Sequence, residues 1–118
     1  MAVRGIRGAT AVDRDTSEAV LAATRELLEA IVLANGVRAD DIASIIFTVT
    51  PDLRSEYPAR AARLMGWKDV ALLGATEMDV PTGLERCIRV LLHVNTGRAP
   101  SEIKHIYLRE AKALRSDR

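Results

Sequence analysis

The stretch RCIRVLLHVN, residues 86–95, decides how the rest of the chain is read. In an extended strand Ile88, Val90, Leu92 and Val94 fall on one face, and Cys87, Arg89, Leu91 and His93 on the other. The first set needs a core to pack on. The second carries a guanidinium inside an apolar run, and a guanidinium stays charged in essentially any protein site. Burying that charge is costly unless an anion or dipole meets it. The stretch therefore predicts a strand with one core face and one face prepared for a polar partner. Glu77, twelve residues upstream at the head of EMDV, raises the question of whether a carboxylate shares the task.

The same logic works outward from this strand. Residues 2–10 read as a strand with Arg4, Ile6, Gly8 and Thr10 on one face and Val3, Gly5, Arg7 and Ala9 on the other. Residues 42–49 form a β-branched run, read as a strand buried on both faces. Residues 70–73 and 103–109 supply two more, the last turning Ile106 and Leu108 to the core and Tyr107 away. Between the first two strands, Asp15 stands three residues before Glu18, a capping-box spacing with Asp as the cap. Val20, Leu21, Thr24, Leu27, Leu28 and Ile31 then recur with helical period until Asn35-Gly36, so a helix is predicted over about residues 16–35. PARAARLMG, residues 58–66, predicts one or two further helical turns, and TGRAP a turn. These elements make an α+β chain of five strands, one long helix and one short helical segment. Three strands each present a polar anchor: Arg7, Arg89 and Tyr107. Gly5 and Ala9 leave space beside Arg7.

Composition limits the function classes. The chain has 118 residues, 48 % apolar and 28 % charged, which suits one globular domain over residues 1–118, with a mobile tail expected over 115–118. A net charge of +1 offers no general attraction to nucleic acid or anionic membrane. Aromatic residues are 3 % of the chain, too few for base-stacking platforms, so the single RGIRG does not indicate RNA binding. Cys87 is the one cysteine, which excludes an intrachain disulfide and fits a reducing cytosol. MAVRGIRGAT has no apolar signal core and no run approaches membrane-spanning length, so a soluble cytoplasmic protein is expected, with no membrane or nucleic-acid partner.

Catalytic motifs narrow the choice further. Six residues of strand put Cys87 about 20 Å from His93, too far for a thiol–imidazole pair. The two histidines and one cysteine lack zinc spacing, and no Walker loop or dinucleotide fingerprint occurs. No metal or cofactor is therefore expected. What the residues alone leave standing is an anion site with a carboxylate near it.

VRGIRGAT, TPDL with YPARAAR, EMDV with GLERCIRV, and HIYL occur in an order that resembles the monofunctional chorismate mutases of the trimeric α/β class. The similarity runs from about residue 2 to residue 115. It implies a mixed five-stranded sheet packed against one long helix, three subunits joined as a pseudo-α/β-barrel homotrimer, and clefts between subunits. The implied reaction is the Claisen rearrangement of chorismate to prephenate, in phenylalanine and tyrosine biosynthesis, with no cofactor. Residue by residue, the resemblance implies that Arg89 donates to the breaking ether oxygen and Glu77 accepts from the ring hydroxyl. Arg7 and Tyr107 would bind substrate carboxylate. Tyr57, Ala59, Arg60 and Arg63 would form the neighbouring subunit's wall, Leu72 and Leu73 the apolar lining, and Leu114 and Arg115 a covering tail. Gly74, Tyr57 and Arg60 depart from the pattern: Gly74 stands in place of a cysteine that can contact substrate, Tyr57 of a phenylalanine, Arg60 of a lysine. Two other readings remain compatible with such a cleft: a non-catalytic trimeric ligand-binding or regulatory protein, and an imine or enamine deaminase on a similar scaffold.

Overall fold

The computed structural model describes residues 1–114. Its elements are β1 (Ala2–Ala11), α1 (Ser17–Asn35), β2 (Ile42–Val49), α2 (Ala59–Leu64), β3 (Ala71–Thr76), β4 (Cys87–Thr96) and β5 (Ile106–Tyr107). They form one mixed five-stranded sheet in the order β3-β2-β4-β1-β5. The opening stretch is thus the central strand. β4 runs antiparallel to both β1 and β2, while edge strands β3 and β5 run parallel to their neighbours.

The alternation of β4 holds as expected. Ile88, Val90, Leu92 and Val94 are buried. The last three, with Ile6, Ile42, Ile45 and Phe47, meet α1 through Leu27, Leu28 and Ile31 and α2 through Ala62. Ile88 meets α1 through Val20 and Ala23, beside Val12 and Leu53. This face is closed by two helices because β1 lets α1 come close. A Cβ on Gly8 would lie 2.7 Å from Ile31 Cδ1, 3.1 Å from Val90 Cγ2 and 3.2 Å from Leu27 Cδ1. The helix occupies the space a side chain would need.

Both ends of α1 are tied down. Its C-terminus closes at Gly36, whose φ of 60° is the left-handed conformation that glycine takes without strain. Buried Asn35 spans the junction: its amide donates to the carbonyls of Ile31 and Lys104 at 2.9 Å and accepts from Lys104 N–H at 2.8 Å. At the N-terminus the cap is Thr16, whose hydroxyl accepts from Ala19 N–H at 3.1 Å, and not Asp15. Asp15 is occupied elsewhere, accepting from the amides of Arg54 and Ser55 and so fastening the loop before α2. A capping-box spacing cannot distinguish a carboxylate that caps its own helix from one that anchors a distant loop.

Three strand expectations need correction. β3 extends to Thr76 because all six of its residues pair in parallel with β2, including Gly74 and Ala75, which carry no strand-like side chain. The final strand is two residues, not seven, because it pairs only through Gly8–Ile106 and Ala9–Tyr107 before the chain turns at Arg109. Arg109 has φ 53° and reaches Glu26 of α1 at 3.2 Å. β2 is buried on one face only: Ser44, Ile46 and Thr48 on the other are half-buried.

That second face is unevenly covered. At one end the 3₁₀ turn Arg109–Leu114 lays Ala111 and Leu114 against Ala9 and Cys87. At the other end Ile46 pairs in register with Leu73, which is 62 % exposed, and Leu91 and His93 are half-buried. The sheet therefore presents an apolar area that this chain alone leaves open.

The close approach at Gly8 can be tested by filling it. Gly8→Ala should be absorbed by small shifts of the terminal methyls, whereas Gly8→Val should cost about 1–3 kcal/mol of stability through overpacking. Urea unfolding monitored by circular dichroism reads both. Equal midpoints for Gly8→Val and wild type would contradict the packing described.

Candidate active site

The site forms on the second face, where register places its side chains. Arg89 lies across from Ala9 on β1 and from Thr48 on β2, so small and short side chains flank the guanidinium. Glu77 immediately follows β3, and its N–H continues the ladder by donating to Val49 O at 2.8 Å. This delivers the carboxylate to Arg89: Nη1 donates to Glu77 Oε2 at 3.1 Å, with the side chains 30 % and 22 % exposed. Thr48 Oγ1 donates to the same Oε2 at 3.0 Å, and Met78 N–H donates to Oε1 at 3.1 Å.

The charge state of Glu77 follows from these contacts. Burial pushes its carboxyl pKa upward, but the Arg89 guanidinium, the Thr48 hydroxyl and the Met78 amide outweigh burial, so the net shift is below 4.5. Glu77 is an anion across neutral pH. A carboxylate has about four lone-pair positions. Three are occupied here, and one on Oε1 remains for another donor.

Two cavities share Arg89 as a wall. The smaller, about 340 Å³, is lined by Arg7, Gly8, Arg89, Val90 and Tyr107. The larger, about 610 Å³, holds Glu77, Cys87, Arg89 and Leu114 against residues 50–52 and the 78–85 loop. Arg7 is exposed and its guanidinium forms no ion pair among the described residues, while its peptide N–H donates to His105 Nδ1 at 2.9 Å. An unpaired cation, a phenol and a paired cation thus converge on one small space. Such a space suits a compact carboxylate ligand. Cys87 stands apart from this chemistry: burial pushes its thiol up to about 11, so the reactive thiolate is scarce at neutral pH. Among the described residues no group of three His, Cys, Asp or Glu side chains could hold a metal ion, and no helix is long and apolar enough to cross a membrane.

The chain brings Arg7, Glu77, Arg89, Tyr107 and Leu114 together around these cavities and leaves Tyr57, Ala59, Arg60, Arg63, Leu72, Leu73 and Gly74 outside them. Tyr57, 75 % exposed, and the exposed Arg63 line neither. Ala59 is a core residue of α2, and Arg60 pairs with Glu56 at 2.8 Å. Leu72 packs on the helix-side core, where its register partner Ile45 lies, while Leu73 is on the open face with Ile46. Gly74 falls opposite Phe47, and a Cβ there would meet nothing within 4 Å. Arg115 lies outside the described residues. Thr48 and the Met78 amide were not foreseeable as site groups. A threonine between Phe47 and Val49 looks like any strand residue until register sets it across from Arg89.

The lowered pKa of Glu77 has a measurable consequence. Its ionised form contributes stability in full above the ordinary value of 4.5, and that contribution is lost as pH falls through the lower folded value. The stability difference between wild type and Glu77→Gln should be constant across neutral pH and change only below pH 4.5. Urea midpoints measured from acid to neutral pH test this. A difference that titrates between pH 6 and 8, where histidine ordinarily changes charge, would place the ionisation elsewhere.

Comparison with known proteins connects this geometry to a family. The family model for chorismate mutase type I matches residues 3–118. The chorismate mutase AroH of Thermus thermophilus is 52 % identical over 116 residues, 98 % of this chain and 95 % of that protein. The chorismate mutase AroH of Bacillus subtilis (strain 168) is 44 % identical over 118 residues, 99 % and 93 % of the two chains. The solved structure of a chorismate mutase from Clostridium thermocellum superposes with a TM-score of 0.93 at 51 % identity, covering 94 % of this chain and 99 % of that one.

Proposed function

The chain belongs to the chorismate mutase type I family and is a chorismate mutase, and from that premise we propose that the Arg7, Glu77, Arg89 and Tyr107 cluster is where chorismate rearranges to prephenate. The reaction is a unimolecular Claisen rearrangement. A C–O bond breaks as a C–C bond forms, and no proton is transferred and no covalent adduct with the enzyme arises. Catalysis then lies in holding the folded conformer and stabilising charge that separates on the way to the transition state.

The observation that carries this reading is the Arg89–Glu77 pair at 3.1 Å on the wall between two cavities. Arg89 uses Nη1 for Glu77, and its other N–H groups remain to face a ligand. As the ether bond stretches, negative charge grows on its oxygen, and a fixed guanidinium stabilises that state more than the ground state. The vacant position on Glu77 Oε1 takes the ring hydroxyl. Arg7 and Tyr107 take a carboxylate and hold the enolpyruvyl arm over the ring. Leu114, already against Cys87, closes one side.

We assign the missing wall to a neighbouring subunit of a homotrimer. Residues 57–63 line neither cavity of their own chain, and the open apolar face around Ile46, Leu73 and Leu91 supplies a surface for association. Glu56 engages Arg60, so Arg63 is the guanidinium we assign to the second substrate carboxylate. Leu73, and not the core residue Leu72, provides lining, and Gly74 contributes backbone alone. The single buried thiol suits a reducing cytoplasm, the compartment we assign.

Chorismate turnover by defined variants tests the reading. Arg89→Gln should lower kcat by about 10²–10³-fold, the usual cost of losing one charge-stabilising donor, and change KM far less. Arg63→Ala should be milder. Refolding the two together builds some clefts free of both lesions, so activity should exceed that of the same proteins mixed without exchange. Near-normal turnover by Arg89→Gln, or no gain on verified subunit exchange, would overturn the assignment.

A further inference from the structure

We propose that Thr48 is a positioning residue for the rearrangement, its hydroxyl fixing the Glu77 carboxylate so that the carboxylate orients Arg89 and keeps one acceptor position open to substrate. The proposal rests on the reading of Glu77 and Arg89 given above.

The terminal torsion of a glutamate is soft, with a broad two-fold profile, so a carboxylate held by one partner can rotate. Glu77 borders a cavity of about 610 Å³ into which it could swing. Arg89 cannot restrain it alone, since a long guanidinium side chain can follow a moving partner. The Met78 amide holds Oε1 at 3.1 Å, but it belongs to the same loop as Glu77 and would move with it. Thr48 differs on both counts. It sits within β2, paired in register with Arg89 on one side and Ala75 on the other, so its backbone is fixed by two neighbouring strands. Its side chain is β-branched and stiff about χ1. From that rigid position Oγ1 donates to Oε2 at 3.0 Å, the oxygen that also accepts from Arg89.

The geometry divides the carboxylate into two parts. Oε2 is committed to Thr48 and Arg89, and Oε1 to Met78 and the substrate. Without the hydroxyl, the two oxygens lose their distinct assignments and the vacant acceptor no longer has a fixed direction. Valine at position 48 has nearly the same shape as threonine and keeps the strand packing, so the loss is confined to one hydrogen bond. The other charged or titratable groups near Glu77 are Arg89 and Cys87 on β4, with Asp52, Asp79 and Glu85 on the loops around the larger cavity. None of these occupies the place of the hydroxyl.

Turnover of chorismate by Thr48→Val, Thr48→Ser, Glu77→Gln and the double variant Thr48→Val/Glu77→Gln tests this, with folding checked by circular dichroism. Loss of a hydrogen bond to a charged group predicts about a tenfold fall in kcat for Thr48→Val, with a smaller change in KM. The acid limb of its kcat profile should move to higher pH, since Glu77 loses a partner that favours its charged form. Thr48→Ser should recover most of the lost turnover. In the Glu77→Gln background, Thr48→Val should cause little further loss, because the two residues act through one group. Wild-type kcat and acid limb in Thr48→Val, with Glu77→Gln impaired, would overturn the role of Thr48 and leave the site assignment standing. A loss in Thr48→Ser equal to that in Thr48→Val would overturn it equally. Full turnover by Glu77→Gln would overturn both this proposal and the reading on which it rests.

Discussion

Arg89 places a permanent charge in the middle of a half-buried sheet, and Glu77 meets it at 3.1 Å from the end of β3. Most of the fold can be understood as the framework that makes this meeting possible. β2 pairs with β4 on one side and β3 on the other, so it sets both the strand that carries Arg89 and the strand that delivers Glu77. α1 and α2 bury the opposite face and hold those strands in place. A slip of one residue in the β2–β4 register would send Arg89 into the hydrocarbon core and bring Ile88 or Val90 to the cavities. The strong apolar alternation of β4 opposes that slip.

The pair also explains a division of labour. A lone guanidinium would wander toward solvent, and a lone carboxylate in this position would tend to protonate as burial raised its pKa. Together they stay ionised and oriented before any ligand arrives. The rearrangement we propose for this cleft, which needs a held conformer and stabilisation of separating charge, would profit from such preorganisation, since no reorientation is then needed as the bond stretches. The chain provides a cationic floor from Arg7 and Arg89 and leaves one apolar face of its sheet open. Association through that face is consistent with residues 57–63 lying away from the cavities of their own chain.

Much of this was legible in sequence, for a physical reason. Period-two alternation reports on a strand that is buried on one face, so β1 and β4 were readable almost to the residue, along with the common face of Arg7 and Ala9. Helical period and Asn35-Gly36 marked α1 and its end. What failed were features set by distant partners. The length of β3 depends on pairing with β2, the shortness of β5 on the turn at Arg109, and the cap at Thr16 on the diversion of Asp15 to the amides of Arg54 and Ser55. In the site, Arg7, Arg89 and Tyr107 stood out as polar anchors in apolar strands. Thr48 did not, because a strand threonine has no distinguishing local signature. The sequence raised Glu77 beside Arg89 without placing the two in contact, and it is the pairing of β2 with β3 and β4 that makes Glu77 its partner within the chain.

The central claim is that Arg89 acts on charge developed in the transition state more than on bound substrate. Equilibrium binding measures this most directly. A stable bicyclic ether dicarboxylate shaped like the rearranging species is titrated into wild type and Arg89→Gln by calorimetry, beside a substrate-like dicarboxylate ether held in the extended form. The account predicts that Arg89→Gln weakens the bicyclic ligand far more than the extended one, so that discrimination between them largely disappears. Equal weakening of both would mean that Arg89 binds ground state and transition state alike, and would contradict the account.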